Sequence, residues 1–203
     1  MPIMFARVLD AVFPPCCAGC GTTKAALCER CVPISPPIVH RTATLHVEAL
    51  GTYGGALRSA VVALKDGRAD VAAALGLRMA RFAGASMPIV PVPTTRARRR
   101  VRGCDGVETM ATFAATHAGA SILCALRCIG EGRQRGRTRE QRLGAQDRFV
   151  AVSPIVEGMT VVLFDDVCTT GTTLEDCAHA LRCAGAHVEH AFVVAIAPRR
   201  AHE

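Results

Sequence analysis

Apolar positions change their period along this chain, and the changes mark its elements. Residues 158–164, GMTVVLF, read as a strand, and Val161 to Phe164 are apolar at consecutive positions, which is the pattern of a strand covered on both faces. Residues 172–186, TTLEDCAHALRCAGA, follow a helical period with Gly185 as the stop. Residues 187–198, HVEHAFVVAIAP, return to a strand pattern. Strand, helix and strand in that order predict a βαβ unit, a parallel sheet and an α/β fold. Upstream, residues 54–67 and 70–84 read as two helices broken at Asp66-Gly67. MPIVPVPTT, residues 87–95, is a short strand stopped by prolines, and residues 106–120 supply the helix after it. No internal repeat is visible.

Two stretches have no core pattern. Residues 1–15 contain Arg7 and Asp10 within an apolar run, which predicts a short amphipathic helix and not a signal peptide. Residues 130–147 are polar, punctuated by glycine and rich in arginine, and read as a loop. Nothing is long and apolar enough to span a bilayer, so a cytoplasmic protein is expected.

Composition adds an anionic partner. The 203 residues carry a formal charge of +7, which favours phosphate-bearing metabolites, nucleic acid or a membrane surface. Aromatic residues are only 4% and Trp is absent, too few for a surface built mainly on base stacking. The cations concentrate in two runs: Arg96, Arg98, Arg99, Arg100 and Arg102, then Arg133, Arg135, Arg137, Arg139 and Arg142. Leaving-group binding, contact with a nucleic-acid backbone and an ordinary solvated surface all suit such runs.

The eleven cysteines are expected to be reduced, so spacing decides their role. Cys17-x-x-Cys20 and Cys28-x-x-Cys31 form two knuckles whose spacing suits a closed, tetrahedral structural Zn²⁺ site. Cys16 competes with Cys17 as a ligand, and the spacing and the turn at Gly21 favour Cys17. Unliganded thiols are the plainer alternative. Cys124, Cys177 and Cys183 fall within helical or strand patterns and are expected to be buried as small apolar residues. The layout is thus a helix and four-cysteine module over residues 1–35, then a larger domain over 36–203.

The densest chemistry lies in VVLFDDVCTTGTT, residues 161–173. Ligands of open α/β sheets bind beyond the carboxyl ends of the strands, where this strand delivers Asp165 and Asp166. Thr172 and Glu175 have capping-box spacing, so a helix is expected to begin at Thr172 or Thr173. The first amides of a helix form an anion site, Gly171 permits close approach of the backbone, and the threonines add donors. The loop therefore suits a phosphate, and the aspartates suit hydroxyls or a divalent cation. A sugar 5-phosphate satisfies both. No Gly-Lys-Ser/Thr follows, so this is not a Walker A loop.

VVLFDDVCTTGTT resembles the phosphoribosyl pyrophosphate (PRPP) motif of type I phosphoribosyltransferases: an apolar strand, two acids, then Thr-Thr-Gly-x-Thr. With the paired knuckles in front of it, the chain is similar to the ComF family of competence-associated proteins. FPPCCAGCG, LCERC, YGGALRSAVVALKDG and IVPVPTTRARRRVRG carry that likeness, together with Thr138 and Gln141. Cys104-Asp105-Gly106 stands where the family has Phe-Asn-Gln, a difference on the acceptor side of the site.

The resemblance implies a type I phosphoribosyltransferase-like parallel sheet flanked by helices, with a small N-terminal four-cysteine zinc module. It implies that Asp165 and Asp166 hold the ribose hydroxyls and act as the catalytic acids. Thr169, Thr170, Gly171, Thr172 and Thr173 would hold the 5-phosphate, and Lys65, Asp66 and Gly67 the pyrophosphate. Zn²⁺ would be structural, and Mg²⁺ would accompany PRPP. Two activities fit. One is transfer of a phosphoribosyl group from PRPP to an acceptor. The other is a non-catalytic competence protein that keeps a PRPP or nucleotide pocket and binds single-stranded DNA with DNA-uptake partners.

Overall fold

The computed structural model describes residues 14–85, 87–95, 105–129, 148–152 and 156–197. Both arginine runs, the segment 130–147, Thr138 and Gln141, Cys104 and nearly all of the expected N-terminal helix lie outside the described residues.

In chain order the elements are β1 (Ile38–Arg41), β2 (His46–Thr52), α1 (Gly55–Lys65), α2 (Ala69–Met79) and β3 (Ile89–Pro91), then α3 (Gly106–Ala118), β4 (Leu126–Cys128) and β5 (Phe149–Ala151), and finally β6 (Val162–Cys168), α4 (Thr172–Cys183) and β7 (His190–Ile196). Five strands form one sheet in the order β1-β2-β7-β6-β3, and β4 with β5 forms a second, antiparallel pair. Within the larger sheet only β1 runs antiparallel to its neighbour. The expected α/β architecture is present, a mostly parallel sheet flanked by helices with a four-cysteine cluster at the N-terminal end.

Strand alternation sorts the core into two layers. Phe164, Phe192 and Val194 face α1, α2 and α3, where they pack with Val61, Leu75 and Met110. Leu163, Ala191 and Val193 face α4 and pack with Leu174, Cys177 and Leu181. β6 lies between β7 and β3 and is covered on both faces, which is why Val161 to Phe164 are all apolar. Leu27 and Val32, from the cysteine segment, are buried in the same layer as α1 and α2.

Two expectations need correction. The strand does not end before the acids: β6 continues through Asp165 and Asp166 to Cys168, because β7 pairs with it as far as Ile196. The cysteine expectation holds for Cys177, which is buried, whereas Cys124 and Cys183 are exposed. Cys183 closes α4 on its solvent side, where a helical period cannot distinguish a small apolar residue from a tolerated one. The hairpin of β1 and β2 and the β4–β5 pair carry no signal that the sequence reading used.

Candidate functional site

α1 delivers a cation to the carboxyl rim of the sheet. Its apolar face holds Ala60, Val61 and Leu64 in the core, so Lys65 falls in its last turn, where a positive charge suits the helix dipole. Gly67 then stops the helix at φ +84, with its N–H bonded to the Leu64 carbonyl at 3.1 Å. Lys65 Nζ sits 3.0 Å from Asp166 Oδ2. Lys65 lines the central cavity; Asp66 and Gly67, one and two residues further, form the helix stop.

The two aspartates differ. Asp165 Oδ1 accepts the Asp166 N–H at 2.8 Å. Burial, and then the adjacent charge of Asp166, push the Asp165 carboxyl well above the usual carboxylate range, against the pull of that N–H and of Lys65. A carboxyl whose ionisation is opposed by burial and a neighbouring acid beside a cavity is a common mark of a functional group.

Beyond β6 the chain turns through Thr169 and Thr170, both exposed, into Gly171. Gly171 has φ +82 and is the N-cap of α4, with no side chain of its own to cap the helix; the Thr170 hydroxyl accepts the Thr172 N–H at 3.4 Å, a long bond. The capping box is therefore absent, although α4 does begin at Thr172 as expected. Its acid is engaged elsewhere: Glu175 accepts the Thr44 N–H at 2.7 Å, the Thr44 hydroxyl at 2.6 Å and the Thr42 hydroxyl. Burial alone would raise the Glu175 carboxyl, but the bonds from Thr42 and Thr44 outweigh it and hold the group below its usual range. Thr170 and Thr172 hydroxyls bond each other at 2.9 Å on the open side of the turn. Gly171 is glycine for two reasons: its left-handed conformation, and a Cβ that would lie 2.3 Å from Thr42 Cγ2.

A cavity of about 390 Å³ opens beside these groups. Its floor holds Lys65, Asp165 and Asp166, and Thr173 reaches it from the first turn of α4. Val92 to Thr95, Asp105, Gly106, Cys128, Arg148 and Phe149 also line it. Asp105 is 6% exposed and caps α3. Its Oδ1 accepts from the Val107 and Glu108 amides at 3.2 and 3.4 Å, and its Oδ2 from the Thr94 amide at 3.1 Å. Sequence reasoning missed that role, though an Asp ahead of a helical pattern is an N-cap signal. It also missed Arg148, which stands 3.9 Å from Asp176 and whose guanidinium carbon lies 5.7 Å from the centre of the Phe149 ring. No local pattern marks Arg148. Gly106 lets α1 and α3 meet closely, since a Cβ there would lie 2.6 Å from the Leu64 carbonyl oxygen.

The cysteine cluster stands apart from this cavity. The sulfurs of Cys17, Cys20, Cys28 and Cys31 lie within 4.8 Å of one another. Cys17–Cys28 and Cys20–Cys28 are 3.6 and 3.7 Å. Four thiolates at about 2.3 Å from one Zn²⁺ would stand about 3.8 Å apart in a tetrahedron, so the cluster has the size of a structural zinc site. Cys16 turns away, bonding the Pro14 carbonyl, which decides the competition in favour of Cys17. Burial opposes ionisation of Cys17, but backbone N–H groups, that of Cys28 first, lower its thiol to about 6. Bonds with Cys20 and then Cys28 raise Cys31 to about 12. Among the described residues this is the one cluster with metal-binding geometry, and no described helix is long and apolar enough to cross a membrane.

Among curated proteins, none matches the chain. Eight chains of solved structures match part of it, among them the following two. Glutamine PRPP amidotransferase from B. subtilis, complexed with ADP and GMP, is 26% identical with a TM-score of 0.47, over 61% of this chain and 26% of that one. A structure of the allosteric regulatory enzyme of purine biosynthesis is 25% identical with a TM-score of 0.44, over 60% of this chain and 26% of that one. The chain thus matches about a quarter of the length of either structure. The model of the phosphoribosyl transferase domain matches residues 77–203, which include β6, both aspartates, the threonine loop and α4. That match spans more than half of the chain, and the chain belongs to the phosphoribosyl transferase domain family.

Proposed function

We propose that this protein binds PRPP with Mg²⁺ and transfers its phosphoribosyl group to an acceptor. One observation carries the reading. An uncapped helix start, two adjacent carboxyl groups and a lysine at a helix end meet at the carboxyl rim of one strand. A molecule with a phosphate, vicinal hydroxyls and a second anionic group has a complement at each of these points.

Each group has a separate task. The Thr169–Thr173 loop takes the 5-phosphate on backbone N–H groups and threonine hydroxyls. Asp165 and Asp166 accept hydrogen bonds from the ribose 2- and 3-hydroxyls. Lys65, with Asp66 and Gly67, receives the pyrophosphate, and Lys65 exchanges its bond to Asp166 for phosphate oxygens. Bound Mg²⁺ would supply positive charge to the pyrophosphate as it leaves. The C1–oxygen bond breaks with its electron pair on pyrophosphate, and the nucleophile of the acceptor bonds to C1. The protein contributes position and electrostatic complementarity to a centre that gains positive charge. Calorimetry with PRPP and Mg²⁺ tests this directly: binding is expected in the wild type and lost in Gly171→Val. Absence of heat with PRPP, ribose 5-phosphate and nucleotides alike would refute it.

The cysteine module is read as residues 1–35 and the transferase-like domain as residues 36–203. Cys17, Cys20, Cys28 and Cys31 are assigned one structural Zn²⁺ per chain, a reading supported by the sulfur spacing. Paired knuckles ahead of such a domain support the resemblance to the ComF family. Elemental analysis should return one zinc per chain. Purified protein without stoichiometric zinc, and with four freely reactive thiols, would exclude the site.

A further inference from the structure

The segment joining β1 to β2 meets α4 at Glu175 and Arg182, neither of which lines the cavity. Thr42 and Thr44 direct three donors to the carboxylate of Glu175. Arg182, two turns further along α4, donates to Thr44 Oγ1 at 2.7 Å and to the Val188 carbonyl. The Thr42 hydroxyl also accepts the Leu45 N–H at 3.1 Å, which keeps the turn closed. An acid with charge-assisted bonds to a segment more than 130 residues away is a long-range tie, not a helix cap.

That tie acts on one residue. Glu175 donates its own backbone N–H to the Gly171 carbonyl at 2.9 Å, and the Thr42 methyl lies against the Cα of Gly171. Gly171, buried and at φ +82, is the hinge through which the chain passes from Thr170 into the first turn of α4. Held from both sides, it has one orientation. Released, its peptide can rotate, and the amides of Thr172 and Thr173 rotate with it.

We propose that Glu175 and Thr42 are positioning residues that hold the phosphate loop at Gly171 in its anion-binding conformation, although neither lines the cavity. This rests on the assignment of the Thr169–Thr173 loop to a phosphate. Preorganised donors bind more tightly because their ordering has already been met in the folded protein.

The test uses two ligands that share the cavity and differ at the loop: ribose 5-phosphate, and pyrophosphate with Mg²⁺, each titrated into the full chain. Glu175→Gln and Thr42→Val should each weaken ribose 5-phosphate by about tenfold, the scale of one charge-assisted bond. Pyrophosphate affinity should change by less than about twofold, because Lys65 binds it away from the loop. Thr42→Ser, which keeps the hydroxyl but not the methyl, should bind ribose 5-phosphate more tightly than Thr42→Val and less tightly than the wild type. If both ligands weaken equally, the residues serve the fold alone and the proposal fails. It also fails if the variants bind ribose 5-phosphate like the wild type. A wild type that binds pyrophosphate but no ribose 5-phosphate would remove the phosphate assignment itself.

Discussion

α3 and α4 both begin at the carboxyl rim of the sheet beside the same cavity, and they are closed in opposite ways. α3 starts at Asp105, whose carboxylate satisfies two amides of its first turn and a third amide from the segment after β3. α4 starts at Gly171 with no side-chain cap, and the acid spaced to cap it points to another part of the molecule. A cap satisfies orphan N–H groups and places a negative charge on the positive end of the helix. Where that is done, as in α3, the helix start is stable and closed to anions. Where it is withheld, as in α4, amides remain for a ligand, and stability must come from elsewhere. Here it comes from the ties to Thr42, Thr44 and Val188.

Removing the cap of α3 should have the largest effect. Asp105→Ala leaves the amides of Thr94, Val107 and Glu108 without their acceptor in a buried place. The cap is worth about 1 kcal/mol, and an unmade buried bond costs about 1–3 kcal/mol. We expect a loss of about 3 kcal/mol, a fall of roughly 6–12 °C in the unfolding midpoint for a chain of this size. A midpoint within about 1 °C of wild type would mean that the two helix starts are equivalent.

Asp165→Asn should separate function from stability. Binding of ribose 5-phosphate should weaken severalfold, because Asn replaces one of the two carboxyl oxygens by an NH2 and about 1 kcal/mol goes with a neutral hydrogen bond. The midpoint should move the other way. The folded chain holds this carboxyl above its usual range, while in the unfolded chain it ionises near pH 4. Below that pH the group is neutral in both states and costs nothing. As pH rises, the unfolded state loses its proton first, so folding is progressively penalised. Scans from pH 4 to pH 8 should therefore show the variant gaining stability over wild type as pH rises. A constant difference would show that Asp165 is not held neutral.

Asp105→Asn probes the charge without the bond. The Asn oxygen can still cap the Val107 and Glu108 amides, but its NH2 would face the Thr94 N–H, so stability should fall by about 1 kcal/mol, less than in Asp105→Ala, whereas anions entering the cavity should bind about two- to threefold more tightly once a facing negative charge is gone. Unchanged affinity at low salt would mean that the capping acid does not oppose the ligand.

Thr172→Ala should be the smallest effect. A threonine in a working capping box costs about 1 kcal/mol to remove; an exposed threonine at an uncapped start should cost less than about 0.5 kcal/mol by denaturant titration.

The parts that were legible in sequence are those written over short distances. Val161 to Phe164 announced a strand covered on both faces, and Asp66-Gly67 announced the end of a helix. The pairing of Cys17-x-x-Cys20 with Cys28-x-x-Cys31 announced a four-sulfur cluster. The same local logic misled at Glu175, where the spacing of a capping box was present but the carboxylate found stronger donors in Thr42 and Thr44. Arg148, beside the three-residue β5, and the four-residue edge strand β1 went unread because such short segments lack the long pattern that reveals β6 and α4; β2 is longer, but His46 and Glu48 interrupt its apolar residues.

By itself, then, the sequence determined which element types form, that the acids and threonines follow one buried apolar run, and which sulfurs can share one ion. These depend on hydrophobic period and on spacings of a few residues, which act within one or two elements. Only the tertiary structure decided that Lys65 meets Asp166, that Asp105 faces the same cavity, and that Gly171 is held against Thr42. Those contacts join positions about 100 residues or more apart, or on different elements. They exist because packing α1, α3 and α4 onto one twisted sheet brings those ends together, and no local pattern encodes that meeting.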